Sequence, residues 1–400
     1  MTTKYSAHKL ALSLTAAIMA AGGAQAYEVP LTSLSSNMPP VDFHGFVSQG
    51  LLASSQYNYL TPDAKDVSAK FFEAGLNVSM NPFPHTRITA QAFTYDIGDV
   101  GKYDFVLDYA SIEYTFNDAV GVRAGRIRRP EGIYNDIQDV DLARTSILLP
   151  QGVYDARWRD FYVSIDGVDL FGTIPLNKAG SLSYDVYGGF MSPSKNGGVA
   201  QLLRNQLPSF IALNSLDSDL EVGGQFWWNT PLDGLRLGVA AGGVLPFNFT
   251  TTIQTPGGPI HPDNRSDVIF QHYSAEYLWK AWTFQAEYFT YSLYPYAAGQ
   301  AESHIDSWYG SAAYRFNKWF ELGGCYTEYY GDMDHRDNSL TFQKDLALSL
   351  RFDPKPWWVL KVEGHYIRGT GLLNDNANNP PARQNDQGWF MLAVKTTFSF

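Results

Sequence analysis

Hydrophobic and polar residues alternate one by one in many short stretches of the chain. Near the C-terminus, Phe390, Leu392 and Val394 fall on one face of an extended strand, whereas Lys395 and Thr397 fall on the other. Such alternation is typical of β-strands with one dry face and one wet face. Over the whole chain the pattern predicts about sixteen strands. Their predicted bounds are residues 42–53, 70–80, 86–95, 105–116, 120–127, 161–174, 182–191, 220–229, 235–247, 268–278, 282–293, 308–316, 320–330, 346–352, 357–367 and 389–400.

The connections between these strands are alternately short and long. The short ones are residues 81–85, 117–119, 177–180, 230–234, 280–281, 317–319 and 353–356. The long ones are residues 54–69, 96–104, 128–160, 192–219, 248–267, 294–307, 331–345 and 368–388. Transmembrane β-barrels have short turns on one side of the membrane and long loops on the other, whereas a soluble β-sandwich has no reason to keep this rhythm. The sequence therefore predicts an all-β fold, a transmembrane antiparallel up-and-down β-barrel.

Charged residues within the predicted strands indicate which face is turned inward. An Arg or Lys at the midplane of the lipid-facing surface costs about 2–4 kcal/mol. We therefore expect the charged strand residues to face the lumen, namely Glu287, Arg351, Lys361, Glu363 and Lys395. An inward face this polar indicates water rather than a packed core, and a barrel of about sixteen strands is wide enough for an aqueous channel.

The first 26 residues are predicted to be a secretory signal peptide. Lys4 and Lys9 precede a short apolar run, and Ala24-Gln25-Ala26 supplies small residues for cleavage. The apolar run is too short to span a bilayer as a helix. We expect residues 27–41 to form a periplasmic lead-in and residues 42–400 to form a single barrel domain.

Overall composition is consistent with an exported barrel. The net charge of −11 gives no support to nucleic-acid binding, which needs a basic surface. The chain has one cysteine, Cys325, so no intramolecular disulfide can form. Aromatic residues make up 15% of the chain, as expected for a barrel with aromatic girdles at both membrane interfaces.

The connection at residues 128–160 is too long for a simple turn and is expected to be ordered and functional. It surrounds the apolar run Ile147-Leu148-Leu149-Pro150 with charged residues. We expect it to fold into the barrel and narrow the pore. The candidate constriction residues, including the end of the preceding strand, are Arg123, Arg126, Arg128, Arg129, Glu131, Asp136, Asp139, Asp141, Arg144, Arg157 and Arg159.

Opposed acidic and basic groups across a constriction make a transverse field that favours small polar solutes. We expect the wall residues Arg123, Arg126 and Arg128 to face acidic residues of the loop. Arg123 differs in parity from the other two, so a bulge or a strand end is expected between them. Two alternatives stay open: the charge pairs fasten the loop to the wall, or the segment is an ordinary solvated surface loop.

Catalytic and metal-binding motifs are not indicated. Ser48 with His44, and Ser303 with His304, match no specific motif, although catalytic triads are spatial and can escape sequence analysis. The cluster of Asp332, Asp334, His335 and Asp337 is expected to be a solvated loop rather than a metal site. We expect no enzyme activity, no catalytic residues, no metal and no cofactor.

The chain ends in Thr396-Thr397-Phe398-Ser399-Phe400. Together with the signal peptide, the strand pairs and the alternating connections, this ending resembles the sixteen-stranded porins of Gram-negative outer membranes. The segment from Gly125-Arg126 through Pro130, Gly132, Tyr134-Asn135 and Asp139-Val140 also resembles a motif of a little-characterised porin-like branch.

This resemblance implies a water-filled channel for passive diffusion of ions and small hydrophilic solutes, in a homotrimer of the outer membrane. It implies that Phe398 and Phe400 are read by the barrel-assembly machinery, and that outer-membrane lipid and lipopolysaccharide are partners. It also implies that the third long loop, residues 128–160, forms the constriction. The alternatives are an adhesin, a receptor or a structural barrel without an open pore, and, with less support, an outer-membrane hydrolase.

Overall fold

The computed structural model describes residues 27–29, 39–98, 100–191, 193–194, 197–208, 210–373 and 388–400. The predicted signal peptide and most of the predicted lead-in lie outside these residues. No helix in the described part of the chain is long and apolar enough to cross a membrane.

The described residues form one sheet of nineteen strands, sixteen of which close into an antiparallel barrel. The barrel closes where the last strand pairs with the second, from Met391 opposite Ser54 to Ser399 opposite Phe46. The sixteen barrel strands are β2 (Val41–Ser54), β3 (Phe72–Phe83), β4 (Thr86–Asp96), β5 (Phe105–Asn117), β6 (Val120–Arg128), β7 (Ser164–Pro175), β8 (Ser181–Phe190), β10 (Glu221–Asn229), β11 (Leu235–Thr255), β13 (Asp263–Trp279), β14 (Trp282–Pro295), β15 (Ser303–Asn317), β16 (Phe320–Tyr330), β17 (Phe342–Lys355), β18 (Trp358–Gly369) and β19 (Trp389–Ser399). The three additional strands are β1 (Tyr27–Val29), β9 (Ile211–Ser218) and β12 (Gly258–Ile260).

The predicted fold class is confirmed, and each predicted strand overlaps one barrel strand. The predictions fail where strands continue beyond the barrel wall. Residues 248–267, expected to be a loop, extend β11 and form a hairpin with β12 and β13. Residues 192–219, also expected to be a loop, contain the helix Gly198–Gln206 and strand β9. Val199 and Ala200 of this helix pack with Phe247, so local apolar contacts outside the barrel stabilise structure that strand alternation does not predict.

The two faces of the barrel differ in chemistry. Outward-facing Leu348 and Phe390 are 58% and 61% exposed, whereas inward-facing Lys361 and Lys395 are 0% and 1% exposed. Apolar side chains are exposed because lipid, rather than protein, is their expected neighbour. The expectation that the inward charges contact water is wrong at these lysines. Other parts of the chain cover them.

Aromatic rings cluster at the short-turn end of the barrel. Trp319 stacks on Phe352, with 6.4 Å between ring centroids, and Trp358 stacks on Phe398 at 5.8 Å. Trp279, beside the two-residue turn from β13 to β14, is 46% exposed. Amphipathic rings at one end of the strands match the aromatic girdle of a membrane interface.

Candidate functional site

The segment between β6 and β7 contacts strands on all sides of the barrel. It is irregular, with 3₁₀ turns at Asn135–Ile137, Asp141–Ala143 and Ala156–Trp158 and one helical turn at Arg159–Tyr162. Its hydrogen bonds and ion pairs reach inward side chains of β4, β5, β10, β13, β14, β16, β17, β18 and β19. A segment can reach all these strands only from within the ring that they form.

Asp141 holds the middle of the segment to β18 and β19. Its carboxylate lies 3.0 Å from Lys361 Nζ and 3.5 Å from Lys395 Nζ, and it accepts a hydrogen bond of 2.7 Å from Thr397. Burial alone would raise the pKa of Asp141, yet the two lysines and Arg144 hold it far below its usual range. The carboxylate is therefore charged throughout the physiological pH range.

Glu363 of β18 binds the backbone of the apolar run. Its two carboxylate oxygens accept hydrogen bonds from the N–H groups of Ile147 and Leu148, at 2.8 and 2.9 Å. Ser349 donates to the same carboxylate at 2.5 Å, and the His365 ring lies 3.1 Å from it. A buried backbone N–H needs an acceptor, and here the barrel wall supplies one for two consecutive residues.

Glu287 of β14 has the same role at the start of the segment. It accepts hydrogen bonds from the N–H of Ile133 at 2.8 Å and from the hydroxyl of Tyr154 at 2.6 Å. His272 lies between Glu287, at 3.1 Å, and Glu131, at 3.6 Å. Although burial alone would raise the pKa of Glu131, the cations beside it keep that pKa below its ordinary value.

Arginine–carboxylate pairs hold the two ends of the segment. Arg128 contacts Asp108 of β5 and Asp139 of the segment, each at 2.7 Å, and Arg159 contacts the other oxygen of Asp108 at 2.7 Å. Arg129 reaches Glu221 of β10 at 2.9 Å. The carboxylate of Asp108 therefore joins the beginning and the end of the segment at one point of the wall.

A polar gap separates the segment from the wall formed by β14 to β18. It has a volume of about 100 Å³. Arg144 and Thr145 of the segment face Ser311, Gly323 and Cys325 across it. Most of the wall residues here are small. The remaining polar lining residues are Tyr134, Ser146, Thr283, Gln285, Tyr309, Glu321, Thr327, Asp345, Ser349 and His365.

A wider vestibule of about 580 Å³ opens on the other side of the segment, at the short-turn end of the barrel. Asp136 and Arg128 line it together with Gln91, Tyr109 and Phe400. Asp136 is exposed to this space. Burial within the barrel nevertheless raises the pKa of Asp136 above its ordinary value, because Arg123 and Arg128 offset the burial only in part.

Solved structures of other proteins share this architecture, although sequence comparisons find no relative. No protein-family model matches the chain. No curated protein matches its sequence. Among solved structures, an anion-selective porin from Comamonas acidovorans is similar, with 11% identity, 90% of this chain and 99% of that chain covered and a TM-score of 0.58. The chain has the fold of the outer-membrane porins.

Two further structures have this porin fold. The outer membrane channel DcaP of Acinetobacter baumannii is 9% identical, with 94% of this chain and 100% of that chain covered and a TM-score of 0.53. The trimer form of OmpT, an outer membrane protein of Vibrio cholerae, is 13% identical, with 90% and 99% covered and a TM-score of 0.53. Identities this low show the fold alone.

Arg126 of the porin barrel departs from the sequence prediction. Its register partner is Asp166, which it contacts at 3.1 Å, and both share a face with the exposed Val168. The expectation that Arg126 lines a constriction is therefore wrong. Alternation is regular from Arg123 to Arg126, and the strand end at Arg128, whose side chain contacts Asp108 and Asp139 inside the barrel, supplies the expected irregularity.

The other predicted loop and wall residues are placed inside the porin barrel, where most have ionic partners. Arg123 contacts the wall acids Glu113 and Asp169, each at 3.2 Å. Arg144 lies 3.5 Å from Asp141, and Arg157 lies 2.5 Å from Asp155. Two of the predicted lumen residues also hold the loop or a neighbouring strand: Arg351 donates to the carbonyl oxygens of Leu142 and Arg144, and Lys395 contacts Glu73 at 2.5 Å.

Several residues that bind the loop of this barrel are not among the sequence predictions. His272 and Glu221 lie in predicted strands, and their parity with buried neighbours could have placed them inward. Asp108 could not be found this way, because the register between β4 and β5 shifts beside it. Gln91 donates to both Asp108 and Asp139. Because it is uncharged, the pattern of charged residues in the sequence does not identify it.

Proposed function

We propose that the protein is an outer-membrane porin in which residues 128–160 narrow a water-filled passage for ions and small hydrophilic solutes. The observation that carries this proposal is the polar gap between the segment and the wall of β14 to β18. Its hydroxyl-bearing and small side chains leave space next to Arg144 and Thr145, whereas Leu149 and Val153 of the segment pack in an apolar cluster with Trp227 and Tyr309 of the wall. A narrow polar passage favours small hydrophilic solutes over apolar ones.

The remaining assignments belong to the same proposal. The constriction consists of the segment and its wall partners, without Arg126. The chain is exported to the outer membrane of a Gram-negative bacterium, where it contacts lipid and lipopolysaccharide. Phe398 and Phe400 are read by the assembly machinery, and the trimer form of the similar Vibrio cholerae protein supports a homotrimer. The protein has no enzymatic role in this proposal.

A barrel without an open pore is the second candidate function, and one observation favours it. Ile147 and Leu148 pack with Tyr57, Tyr59 and Trp389 in an apolar cluster at the long-loop end of the barrel. In this candidate the cluster closes that side of the mouth. Conductance separates the two candidates, because a permanently closed barrel carries no current.

Chemical modification of Cys325 tests the position of the passage. Cys325 lines the gap and is a free thiol. A cationic methanethiosulfonate reagent is expected to lower single-channel conductance in planar bilayers, because it adds bulk and charge to the narrow passage. The Cys325→Ser variant should keep its conductance under the same treatment. Complete modification, verified by mass spectrometry, without any change in conductance would place the passage elsewhere.

The charge of Asp136 should make ion selectivity depend on pH. Because its pKa is raised above its ordinary value, Asp136 takes up a proton at a pH where an ordinary aspartate is still ionised. Preference for cations, read from the reversal potential in a salt gradient, should therefore fall as the pH is lowered. Asp136→Asn should show the lower preference already at neutral pH, whereas Asp263→Asn, in the exposed β12–β13 hairpin, should behave as the parent. A pH response that persists in Asp136→Asn would assign the effect to another group.

A further inference from the structure

We propose that Thr145 and Glu321 form a hydrogen-bonded gate in the polar gap, and that the gate admits solutes that donate a hydrogen bond to Glu321 in place of Thr145. The solute class is small hydrophilic molecules with hydroxyl or ammonium groups. This inference rests on the porin proposal above and deepens it, because it names the residues that select solutes and the property that they select.

The side chain of Thr145 narrows the gap where β16 begins. Its hydroxyl donates a hydrogen bond to Oε1 of Glu321, the second residue of β16. A Cβ added at Gly323 would lie 3.0 Å from Cγ2 of Thr145 and 3.2 Å from its Cβ, closer than an ordinary van der Waals contact. Gly323 has no positive φ, so its effect is to leave room for Thr145 at the wall. All three residues line the gap.

The carboxylate of Glu321 is fixed on its other side. Its Oε2 accepts a hydrogen bond of 2.8 Å from Arg315, which also pairs with Asp353. Asp353 in turn accepts a hydrogen bond of 2.9 Å from Arg351. This chain of two carboxylates and two guanidinium groups balances its own charge. Glu321 is therefore held in place, and Oε1 is the oxygen that binds Thr145.

The backbone of the segment is fixed beside Thr145. Arg351 donates to the carbonyl oxygen of Leu142 at 2.8 Å and to that of Arg144 at 3.1 Å. Thr145 can therefore leave Glu321 by rotation of its side chain to another staggered conformer, while the segment stays in place. Glu321 is only 15% exposed, and a buried acceptor without a partner is costly. The closed conformer is therefore favoured until another donor arrives.

Solutes that donate hydrogen bonds supply that donor. A hydroxyl or ammonium group can bind Oε1 of Glu321 while the solute passes Thr145, whereas a solute with acceptors alone leaves this oxygen unpaired. Sites that bind a polar group by hydrogen bonding discriminate against analogues that lack it. Since Arg315 balances the charge of Glu321, selection depends on hydrogen bonding rather than on net charge.

Swelling of liposomes that contain the purified protein tests the gate. The probes are valine and glycine betaine, which are isomers of equal mass and are both zwitterions at neutral pH. Valine has an ammonium group, and glycine betaine has no hydrogen-bond donor. We expect valine to enter at least about threefold faster than glycine betaine, which is the effect of one hydrogen bond of ordinary strength.

Two substitutions separate the roles of the gate residues. Glu321→Leu removes the acceptor and should abolish the difference between the two isomers. Thr145→Val removes the hydroxyl at nearly constant volume, so that no hydrogen bond holds the side chain closed. Both isomers should then enter roughly tenfold faster, and valine should stay ahead. Thr145→Ser, which restores the hydroxyl, should reverse most of this increase.

The matched control is Thr173→Val, because Thr173 contacts Ser183 of the wall at 3.0 Å rather than the segment. It should behave as the parent. Folding of each barrel is verified by heat-modifiable migration in gels. Equal entry of the two isomers in the parent, an unchanged difference in Glu321→Leu, or parental rates in Thr145→Val would overturn the gate. No entry of either isomer through the folded parent would contradict the porin proposal itself, and this outcome is distinguishable from equal entry, which contradicts the gate alone.

Discussion

Replacing Asp141 by asparagine is expected to loosen the middle of the pore segment more than any other single change. Lys361 is 0% exposed and would keep only neutral acceptors, namely the backbone carbonyl oxygens at positions 141 and 146 and the amide oxygen of the new side chain. Lys395 would still contact Glu73. Removing one partner of a buried ion pair costs about 3–5 kcal/mol, which corresponds to an increase of roughly two to three and a half orders of magnitude in local opening.

Hydrogen exchange of the amides in residues 141–149, followed by mass spectrometry, measures this opening directly. The matched control is Asp166→Asn, which breaks an ion pair of similar length on the outer face and should leave exchange in the segment unchanged. Equal exchange in both variants would mean that the Asp141 cluster does not hold the segment.

Acid should leave this attachment intact. The pKa of Asp141 in the folded protein is depressed, so its contribution is present above the pKa of the unfolded chain and is lost only as pH falls through the lower folded value. As the pH falls, Asp136, whose pKa is raised, therefore takes up its proton before Asp141, whose pKa is lowered, and selectivity changes while the segment stays attached.

Glu363→Ala is expected to release the apolar run from the wall and to raise conductance. Two backbone N–H groups, those of Ile147 and Leu148, lose their acceptor, at about 1–3 kcal/mol for each buried donor left unsatisfied. His365 keeps Asp345 as a partner, at 2.9 Å. Without the carboxylate, the two donors gain water as a partner and the run loses its attachment to β18, so it is expected to move away from the wall and widen the passage.

Single-channel recording detects the change as a larger conductance and more frequent transitions. Glu276→Ala is the matched control, because Glu276 also faces inward but bonds to Arg236 and Gln285 of the wall. It should keep the parent conductance. A Glu363→Ala channel identical to the parent would show that these two hydrogen bonds do not position the segment.

The strands were predictable because the membrane imposes one rule on each of them. Lipid accepts Leu346 and Leu348 on one face and excludes Lys361 and Glu363 from it, so alternation alone gives the orientation of these side chains. No comparable local rule applies to residues 128–160. Asp141 binds Lys361 across 220 positions of sequence, and such pairings depend on the closed barrel rather than on neighbouring residues.

The wrong prediction for Arg126 has a local physical cause. Its charge suggested the lumen, since an unpaired arginine is costly in lipid. The structure instead pairs it with Asp166 on the outward face, near the long-loop end of β6. Because Arg126 differs from Arg123 in parity, alternation predicts an outward side chain for Arg126. Its charge predicts an inward one. Arg128, which has the same parity as Arg126, nevertheless contacts Asp108 and Asp139 inside the barrel, because the strand ends there.

The central claim, that residues 128–160 narrow an open passage, is tested most directly by the single-channel conductance of a variant without the segment. Arg128 and Ser164 are register partners, so a short Gly-Ser linker in place of residues 131–161 can join β6 to β7 directly. Folding of the variant is verified by heat-modifiable migration in gels. We expect discrete channels in both proteins and a several-fold larger conductance in the variant. Equal conductance in the two folded barrels, or no current from either, would contradict the account.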